Sequence, residues 1–217
     1  MNSAELARRF NLPNVLRFED AAGGLVRAVV SSRAAEAEIY LHGAHVARWQ
    51  PRGQRPVLFL SSKSTFTPGQ AIRGGVPVIF PWFGPRPEGR PGPAHGFARI
   101  TEWALEGTKL RDDGDVEIAM VLAPNDSARA FGYVEFTLRL YVTIGSHLQL
   151  ELEVQNRGKE PLVCEQALHT HFAAAMFVKP PSPDWKAPST STRPMDSNGS
   201  NWGARPCASP RKPIRSI

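Results

Sequence analysis

The feature that most constrains the fold is a strict two-residue alternation over residues 147–154. The apolar positions are Leu148, Leu150, Leu152 and Val154, and the polar positions between them are Gln149, Glu151 and Glu153. Because successive side chains of a β-strand point to opposite faces, this pattern gives the segment one apolar and one polar face. A strand that is buried on one face and solvated on the other is typical of an antiparallel sheet. The segment therefore predicts antiparallel β structure.

The rest of the first 175 residues shows related patterns. Short runs rich in β-branched, aromatic and other apolar residues, separated by turn residues, predict further strands. These runs are residues 24–30, 37–41, 44–49, 57–60, 116–122 and 134–144. Only residues 4–10 and 127–131 favour a helix. We therefore predict an all-β fold, a large antiparallel β-sandwich formed by residues 1–175.

Length and composition exclude several classes of protein. No apolar run approaches the roughly 20 residues that a membrane-spanning helix needs, and the N-terminal segment lacks the basic start and apolar core of a secretory signal. The only two cysteines, Cys164 and Cys207, are too few for a disulfide scaffold and fit a reducing compartment. We expect a cytoplasmic protein with no membrane partner.

The net charge of +6 does not indicate a nucleic-acid partner, because of where the charge lies. Residues 176–217 contain seven basic and two acidic side chains, a balance of +5, whereas residues 1–175 contain 19 basic and 18 acidic ones, a balance of +1. A nucleic-acid interface would place basic residues on a face of the folded module. We therefore expect no nucleic-acid partner.

The chain changes character after residue 175. Residues 176–217 contain eight prolines and seven serines and show no alternation of apolar and polar residues. This composition is typical of a disordered segment. We predict a Pro/Ser-rich basic tail with no strand that could pair with the sandwich.

A long segment rich in glycine and proline interrupts the predicted strands. Residues 69–99, called the site loop below, contain six prolines and seven glycines around the apolar stretch GGVPVIFPWFG. A loop of this length in a compact domain is usually functional. A solvated linker is the alternative, but Ile79, Phe80, Trp82 and Phe83 would be poorly hidden in one. We predict that the site loop forms part of a functional site.

Histidines and arginines supply the candidate chemistry. The pairs His42/His45 and His169/His171 have spacings that metal sites use, but no Cys, Asp or Glu lies at an offset that would complete either pair. We interpret both pairs as fortuitous and predict no metal. His95 and Arg99 close the site loop and Arg73 lies near its start. An imidazole near two guanidinium groups favours an anionic ligand rich in hydroxyl groups.

Several motifs occur together in an order and spacing that resemble a known family. They are LHGAHVARW at 41–49, PVLFLS at 56–61, AIRGGVPVIFPWFG at 71–84, HGFAR at 95–99 and ALHTHF at 167–172. Over residues 10–175 they resemble the D-hexose-6-phosphate mutarotases, or glucose-6-phosphate 1-epimerases, of the aldose-1-epimerase-like superfamily. The resemblance implies the galactose-mutarotase-like supersandwich, here incomplete.

The resemblance also implies a reaction and the residues that perform it. Mutarotases interconvert the α and β anomers of a sugar by acid–base ring opening, without a metal or cofactor. The family's motifs assign the general acid to His169, an assisting histidine to His95, and substrate binding to Arg73 and Arg99. The implied partner is a hexose 6-phosphate. The alternative is a module that binds the sugar phosphate without catalysis.

This chain departs from the family pattern in three places. His171 stands where family members commonly have Tyr, and Ala94 where many have Gln. The family's general-base Glu and a sugar-binding Asp lie beyond the part that the motifs match, and residues 176–217 contain Asp184 and Asp196 but no Glu. Because a shift of one base in a plausible back-translation gives a family-like continuation, we hypothesise that residues 176–217 are read out of frame. Activity in the chain as written would then be in doubt.

Overall fold

The structure is a computed structural model, and it describes residues 1–173 together with the backbone of residues 214–216. In chain order the helices and strands are α1 (Ser3–Phe10), β1 (Leu16–Asp20), β2 (Val26–Ser31), β3 (Ala35–Tyr40), β4 (His45–Pro51), β5 (Val78–Ile79), β6 (Ala104–Leu110), β7 (Val116–Leu122), α2 (Asp126–Ala130), β8 (Phe136–Ile144), β9 (Leu148–Asn156), β10 (Ala167–Leu168) and β11 (Ile214–Ser216). Single-turn 3₁₀ helices cover Ala22–Gly24, Pro87–Gly89 and Ala98–Ile100.

Two antiparallel sheets enclose the main apolar core. The first sheet has the order β1-β2-β3-β4, and the second sheet has the order β11-β9-β8-β7-β6. The core contains inward-facing side chains of both sheets, such as Ala37 and Ile39 of β3 and Leu138 and Leu140 of β8, all 0% exposed. The predicted all-β antiparallel sandwich is confirmed.

The two helices begin at side-chain caps. The Asn2 side chain accepts a hydrogen bond from the Glu5 backbone N–H, and the Asn125 side chain accepts one from that of Ala128. Each cap satisfies a backbone donor that the first turn of a helix leaves free. Leu6 of α1 is fully buried, and the Thr108 hydroxyl of β6 donates to the Phe10 carbonyl. Helix α1 is thereby fixed against the second sheet.

Most predicted elements agree with the structure. The segment 116–122 coincides with β7, the alternating segment with β9, and both predicted helices are present. Residues 57–60 are different, because they make isolated bridges, Leu58 with Phe172 and Leu60 with Gly74, and no strand. Strands β1, β5, β6 and β10 were not predicted. Strand β6 has the sequence ALEGTKL, in which a glycine and a bulge interrupt the alternation.

The prediction that the tail supplies no strand is wrong at its end. Strand β11 pairs antiparallel with the edge of β9, with Ile214 opposite Leu152 and Ser216 opposite Leu150. A sheet edge presents unpaired backbone N–H and C=O groups, and three residues of any composition can pair with them. The out-of-frame and disorder predictions concern residues 176–217, of which residues 176–213 and 217 lie outside the described residues.

The site loop is mostly buried. Ile79 and Phe80 are fully buried and Trp82 is 2% exposed, but Phe83 is 53% exposed, so the expectation that all four would be hidden is wrong for Phe83. The Trp82 indole N–H donates to the Pro93 carbonyl, which satisfies its polar group inside the loop. No helix in the described part of the chain has the length and apolar character needed to cross a membrane.

Candidate active site

A short sheet joins the start of the site loop to the segment that carries His169. Strand β10 pairs antiparallel with β5, with Ala167 opposite Ile79 and Leu168 opposite Val78. The backbone N–H groups continue this pairing beyond the strands, from His169 to the Pro77 carbonyl at 3.0 Å and from His171 to the Gly75 carbonyl at 2.9 Å. Residues about 90 positions apart in sequence are thereby neighbours.

The end of the site loop folds back on the same strand. Gly96 makes a parallel bridge with Phe80, and the Ala98 N–H donates to the Phe80 carbonyl at 3.2 Å. Gly96 has φ of 73°, and a Cβ there would overlap the Phe80 carbonyl oxygen. Only glycine combines this positive φ with so close a backbone approach. The contact brings His95, the preceding residue, to the edge of β5.

His95 and His169 consequently face each other. Their ring centroids lie 5.9 Å apart, at an interplanar angle of 64°. The Phe83 ring contacts both, with centroids 4.7 Å from that of His95 and 6.1 Å from that of His169. The structure therefore places the two histidines that the motifs singled out in one cluster.

The backbone sets the tautomer of His95. The Gly84 N–H donates to His95 Nδ1 at 3.1 Å, and the His95 N–H donates to the Gly84 carbonyl at 2.6 Å. Because Nδ1 accepts, the proton of the neutral ring lies on Nε2, which is free to donate. His95 also has φ of 65°, a left-handed conformation that is uncommon for a residue with a side chain. The turn thus fixes which imidazole nitrogen carries the proton.

His169 is exposed and rests on a second imidazole. Its ring stacks on that of His171, with centroids 4.7 Å apart and an interplanar angle of 21°. Partial burial, His171 and Arg99 lower the pKa of His169, and partial burial, Arg99 and His169 lower the pKa of His95. Each effect disfavours the cationic ring. Both histidines are therefore neutral at pH 7 in the free protein.

The two arginines differ in how they are held. The Arg99 Nη2 donates to the Ala94 carbonyl at 2.7 Å, and its Nε is buried without a hydrogen-bond partner among residues 1–173. Burial together with Arg73 lowers the pKa of Arg99. The turn at Gly43, where a Cβ would lie 2.6 Å from the Arg99 carbonyl oxygen, supports the backbone of Arg99. Arg73 is exposed, and its guanidinium forms no hydrogen bond or ion pair with residues 1–173.

Sequence reasoning missed a layer of histidines behind this cluster. His45, at the start of β4, is 1% exposed, and its Nε2 has no hydrogen-bond partner in the described part of the chain. Burial, His42 and His171 lower the pKa of His45 to about 3. His42 is 3% exposed and its Nε2 donates to the Gln70 carbonyl at 2.7 Å. The one available signal was that His45 stands between apolar residues of a predicted strand. In residues 1–173 no three His, Cys, Asp or Glu side chains are grouped to hold a metal ion.

The cluster combines two kinds of chemistry. Two neutral imidazoles can accept and donate protons, and two cationic guanidinium groups beside them can bind an anion such as a phosphate. Glu165 lies next to the cluster, but its Oε2 accepts the Phe83 N–H at 2.7 Å. The arrangement suits a ligand that has both hydroxyl and anionic groups.

Relatives of this chain are sugar epimerases by description. The family model for aldose 1-epimerase matches residues 28–197. This match extends beyond residue 175, where the motif resemblance ends.

Two curated proteins described as "putative glucose-6-phosphate 1-epimerase" are similar to this chain. The one from Escherichia coli is 38% identical over 151 residues, covering 70% of this chain and 49% of the relative. The one from Salmonella typhimurium is 36% identical over 144 residues, covering 66% and 47%. The chain thus spans about half the length of the curated relatives it matches.

Solved structures agree with the sequence comparison. A putative mutarotase from Salmonella typhimurium superposes with a TM-score of 0.69 at 34% identity, covering 75% of this chain and 53% of that one. A galactose mutarotase-like protein from Clostridium acetobutylicum shares the fold, with a TM-score of 0.55 at 19% identity over 69% of this chain and 51% of that one. With the matched family model, these similarities show that the chain belongs to the aldose 1-epimerase family.

Proposed function

We propose that this chain binds a hexose 6-phosphate and interconverts its α and β anomers. The observation that carries the proposal is the approach of His95 and His169, 5.9 Å between ring centroids, beside Arg99 and the exposed Arg73. The descriptions of the curated relatives name glucose 6-phosphate, which supports the choice of substrate class. The proposed function is that of an isomerase.

The proposed reaction opens and closes the sugar ring. The proton of the anomeric hydroxyl passes to a base, for which the described residues offer the Glu165 carboxylate beside the cluster. Protonated His169 donates a proton to the ring oxygen, and the bond between C1 and the ring oxygen breaks. Rotation about C1–C2 and reclosure then give the other anomer. His95, whose neutral ring carries its proton on Nε2, donates a hydrogen bond to the sugar.

Substrate binding would prepare His169 for its role. In the free protein, burial, His171 and Arg99 lower the pKa of His169, and a neutral imidazole is a weak acid. A phosphate dianion beside Arg99 would offset that cation and favour protonation of the ring. The acid would therefore form where the substrate is bound.

The two arginines divide the binding of the phosphate. The Arg73 guanidinium forms no hydrogen bond or ion pair with residues 1–173, and its fork suits bidentate contact with phosphate oxygens. Arg99 is held by the Ala94 carbonyl and leaves its buried Nε without a partner, so it suits a fixed contact near the ring. This division extends the assignment of both residues to substrate binding.

The test is anomer exchange of glucose 6-phosphate, followed by exchange NMR between the α and β H1 signals. We expect catalysed exchange, and the variant His169→Asn should lose about 10²- to 10⁴-fold of the catalysed rate because the acid is gone. His147→Asn is the matched control, because His147 is exposed in the β8–β9 turn and contacts Ser146. Equal rates for His169→Asn and the parent chain would refute the role of His169.

A non-catalytic sugar-phosphate binding module is the alternative. Among carboxylates of the described residues, Glu165 adjoins the cluster, and one of its oxygens is already bonded to the Phe83 N–H. Saturable glucose 6-phosphate binding without any catalysed exchange would favour the binding module over the epimerase.

A further inference from the structure

An exposed aromatic side chain lies beside both histidines. Phe83 is 53% exposed, whereas the other aromatic residues of the site loop, Phe80, Trp82 and Phe97, are at most 2% exposed. A single exposed apolar residue is common on protein surfaces. Phe83 differs because its ring meets that of His95 edge-on at 82° and also contacts the ring of His169.

The backbone holds this ring in place. The Phe83 N–H donates to Glu165 Oε2 at 2.7 Å, and the next residue, Gly84, exchanges two hydrogen bonds with His95. A side chain presented by a bonded turn loses little freedom when a ligand packs on it. Phe83 is thus a preorganised apolar surface within a polar cluster.

Other exposed aromatic residues do not share this position. Phe59 is 50% exposed and Phe172 is 69% exposed, but neither makes a ring contact with His95 or His169 in the described part of the chain. Exposure alone therefore does not single out Phe83. Its contact with the rings of both His95 and His169 does.

We propose that Phe83 is a specificity-determining contact that packs against the C–H face of a pyranose ring bound beside His95 and His169. The inference rests on the proposed function. A pyranose carries hydroxyl groups around its rim and C–H groups on its faces, so its complete recognition needs both polar and apolar partners. The imidazoles and guanidinium groups supply the polar contacts, and Phe83 supplies the apolar one.

The inference distinguishes cyclic ligands from acyclic ones. Glucose 6-phosphate presents a C–H face to the ring, whereas sorbitol 6-phosphate is open-chain and inorganic phosphate has no carbon skeleton. Loss of the Phe83 ring should weaken binding of glucose 6-phosphate far more than binding of inorganic phosphate. If Phe83 only maintained the shape of the site, its loss would weaken the binding of all three ligands by the same factor.

The experiment measures Kd by calorimetry for the full chain and for Phe83→Ala and Phe83→Tyr. Covering an exposed aromatic face contributes roughly the burial of half a side chain, so Phe83→Ala should lose about 5- to 10-fold in affinity for glucose 6-phosphate. Affinity for inorganic phosphate should change by less than about 2-fold. Phe83→Tyr should retain binding of the sugar, because its ring keeps the apolar face. Leu110→Ala, at an exposed apolar position (47%) on β6, is the control.

Each other outcome has a distinct meaning. If Phe83→Ala binds glucose 6-phosphate as tightly as the parent chain, the Phe83 contact is refuted while the proposed function stands. If the variant loses the same factor for all three ligands, Phe83 shapes the site and the contact is also refuted. If the parent chain binds no glucose 6-phosphate, the proposed function and the inference fail together.

Discussion

The second sheet and the site loop reach a defined structure by different means. Every residue of β7, from Val116 to Leu122, pairs with a residue of β8, and every residue of β8 pairs with a residue of β9. The site loop has two paired residues in β5 and takes its shape from single backbone contacts and positive-φ glycines. Many repeated strand-to-strand hydrogen bonds stabilise the sheet. The conformation of the site loop depends instead on a few close backbone contacts at glycines, where a Cβ would not fit. The loop, not the sheet, carries the candidate chemistry.

The largest expected effect comes from opening the core of the second sheet. Leu140 in β8 is fully buried between its strand partners Met120 and Leu152. Leu140→Ala should lower the free energy of unfolding by about 2–5 kcal/mol, because it leaves a cavity. Urea unfolding measures this, with Gln149→Ala on the exposed face of β9 as a control that should change stability by less than about 0.5 kcal/mol. Similar losses for both variants would contradict the assigned core.

The next largest effect on stability is expected at two glycines, which differ in whether another backbone segment lies close to them. Gly96 and Gly114 both have positive φ, of 73° and 88°, but a Cβ at Gly96 would overlap the Phe80 carbonyl whereas a Cβ at Gly114 meets nothing within 4 Å. Gly114→Ala should cost about 1–2 kcal/mol of unfolding free energy for the left-handed conformation. Gly96→Ala should cost at least about 1 kcal/mol more, because the backbones must separate.

Ligand binding provides a second test of the difference between Gly96 and Gly114. Because Gly96 positions His95, Gly96→Ala should also weaken binding of glucose 6-phosphate, and Gly114→Ala should leave it unchanged. Calorimetric Kd values for both variants, measured where each remains folded, would provide the check. Equal binding by the two variants would show that the contact between Gly96 and Phe80 does not set the site geometry.

The smallest effect concerns the buried histidine behind the site. Burial, His42 and His171 lower the pKa of His45 to about 3, while the unfolded chain has a histidine pKa of about 6.5. Because the pKa of His45 is lower in the folded state, the unfolded state binds more protons than the folded state as the pH falls below about 6.5. The free energy of unfolding therefore decreases as the pH falls. Between pH 7 and pH 5 this group should remove about 2 kcal/mol of unfolding free energy.

The measurement is urea unfolding of the parent chain and of His45→Leu at pH 7 and pH 5. The variant should lose about 2 kcal/mol less than the parent chain over that interval, because it has no imidazole to protonate at this position. An identical pH dependence for both chains would mean that His45 is not held neutral in the folded state.

Local patterns were sufficient to predict the strands with regular side-chain alternation. Strand β9 has that pattern, and β7 matches its predicted bounds. Strand β6 was not predicted because a glycine and a bulge break the pattern, and β1 was not predicted either. Strand β11 depends on the free edge of β9 rather than on its own composition, which local reasoning cannot detect.

The sequence by itself determined the antiparallel sandwich and the identity of the residues that form the candidate site. Alternation dictates which face of each strand is buried, and the motifs name His95, His169, Arg73 and Arg99. Only the tertiary structure decided that His95 and His169 approach to 5.9 Å, that His45 is buried behind them and that the exposed Phe83 ring contacts both of them. Those facts depend on the pairing of β10 with β5 and on the contact of Gly96 with Phe80. Both are backbone contacts between distant segments, and no local side-chain pattern encodes them.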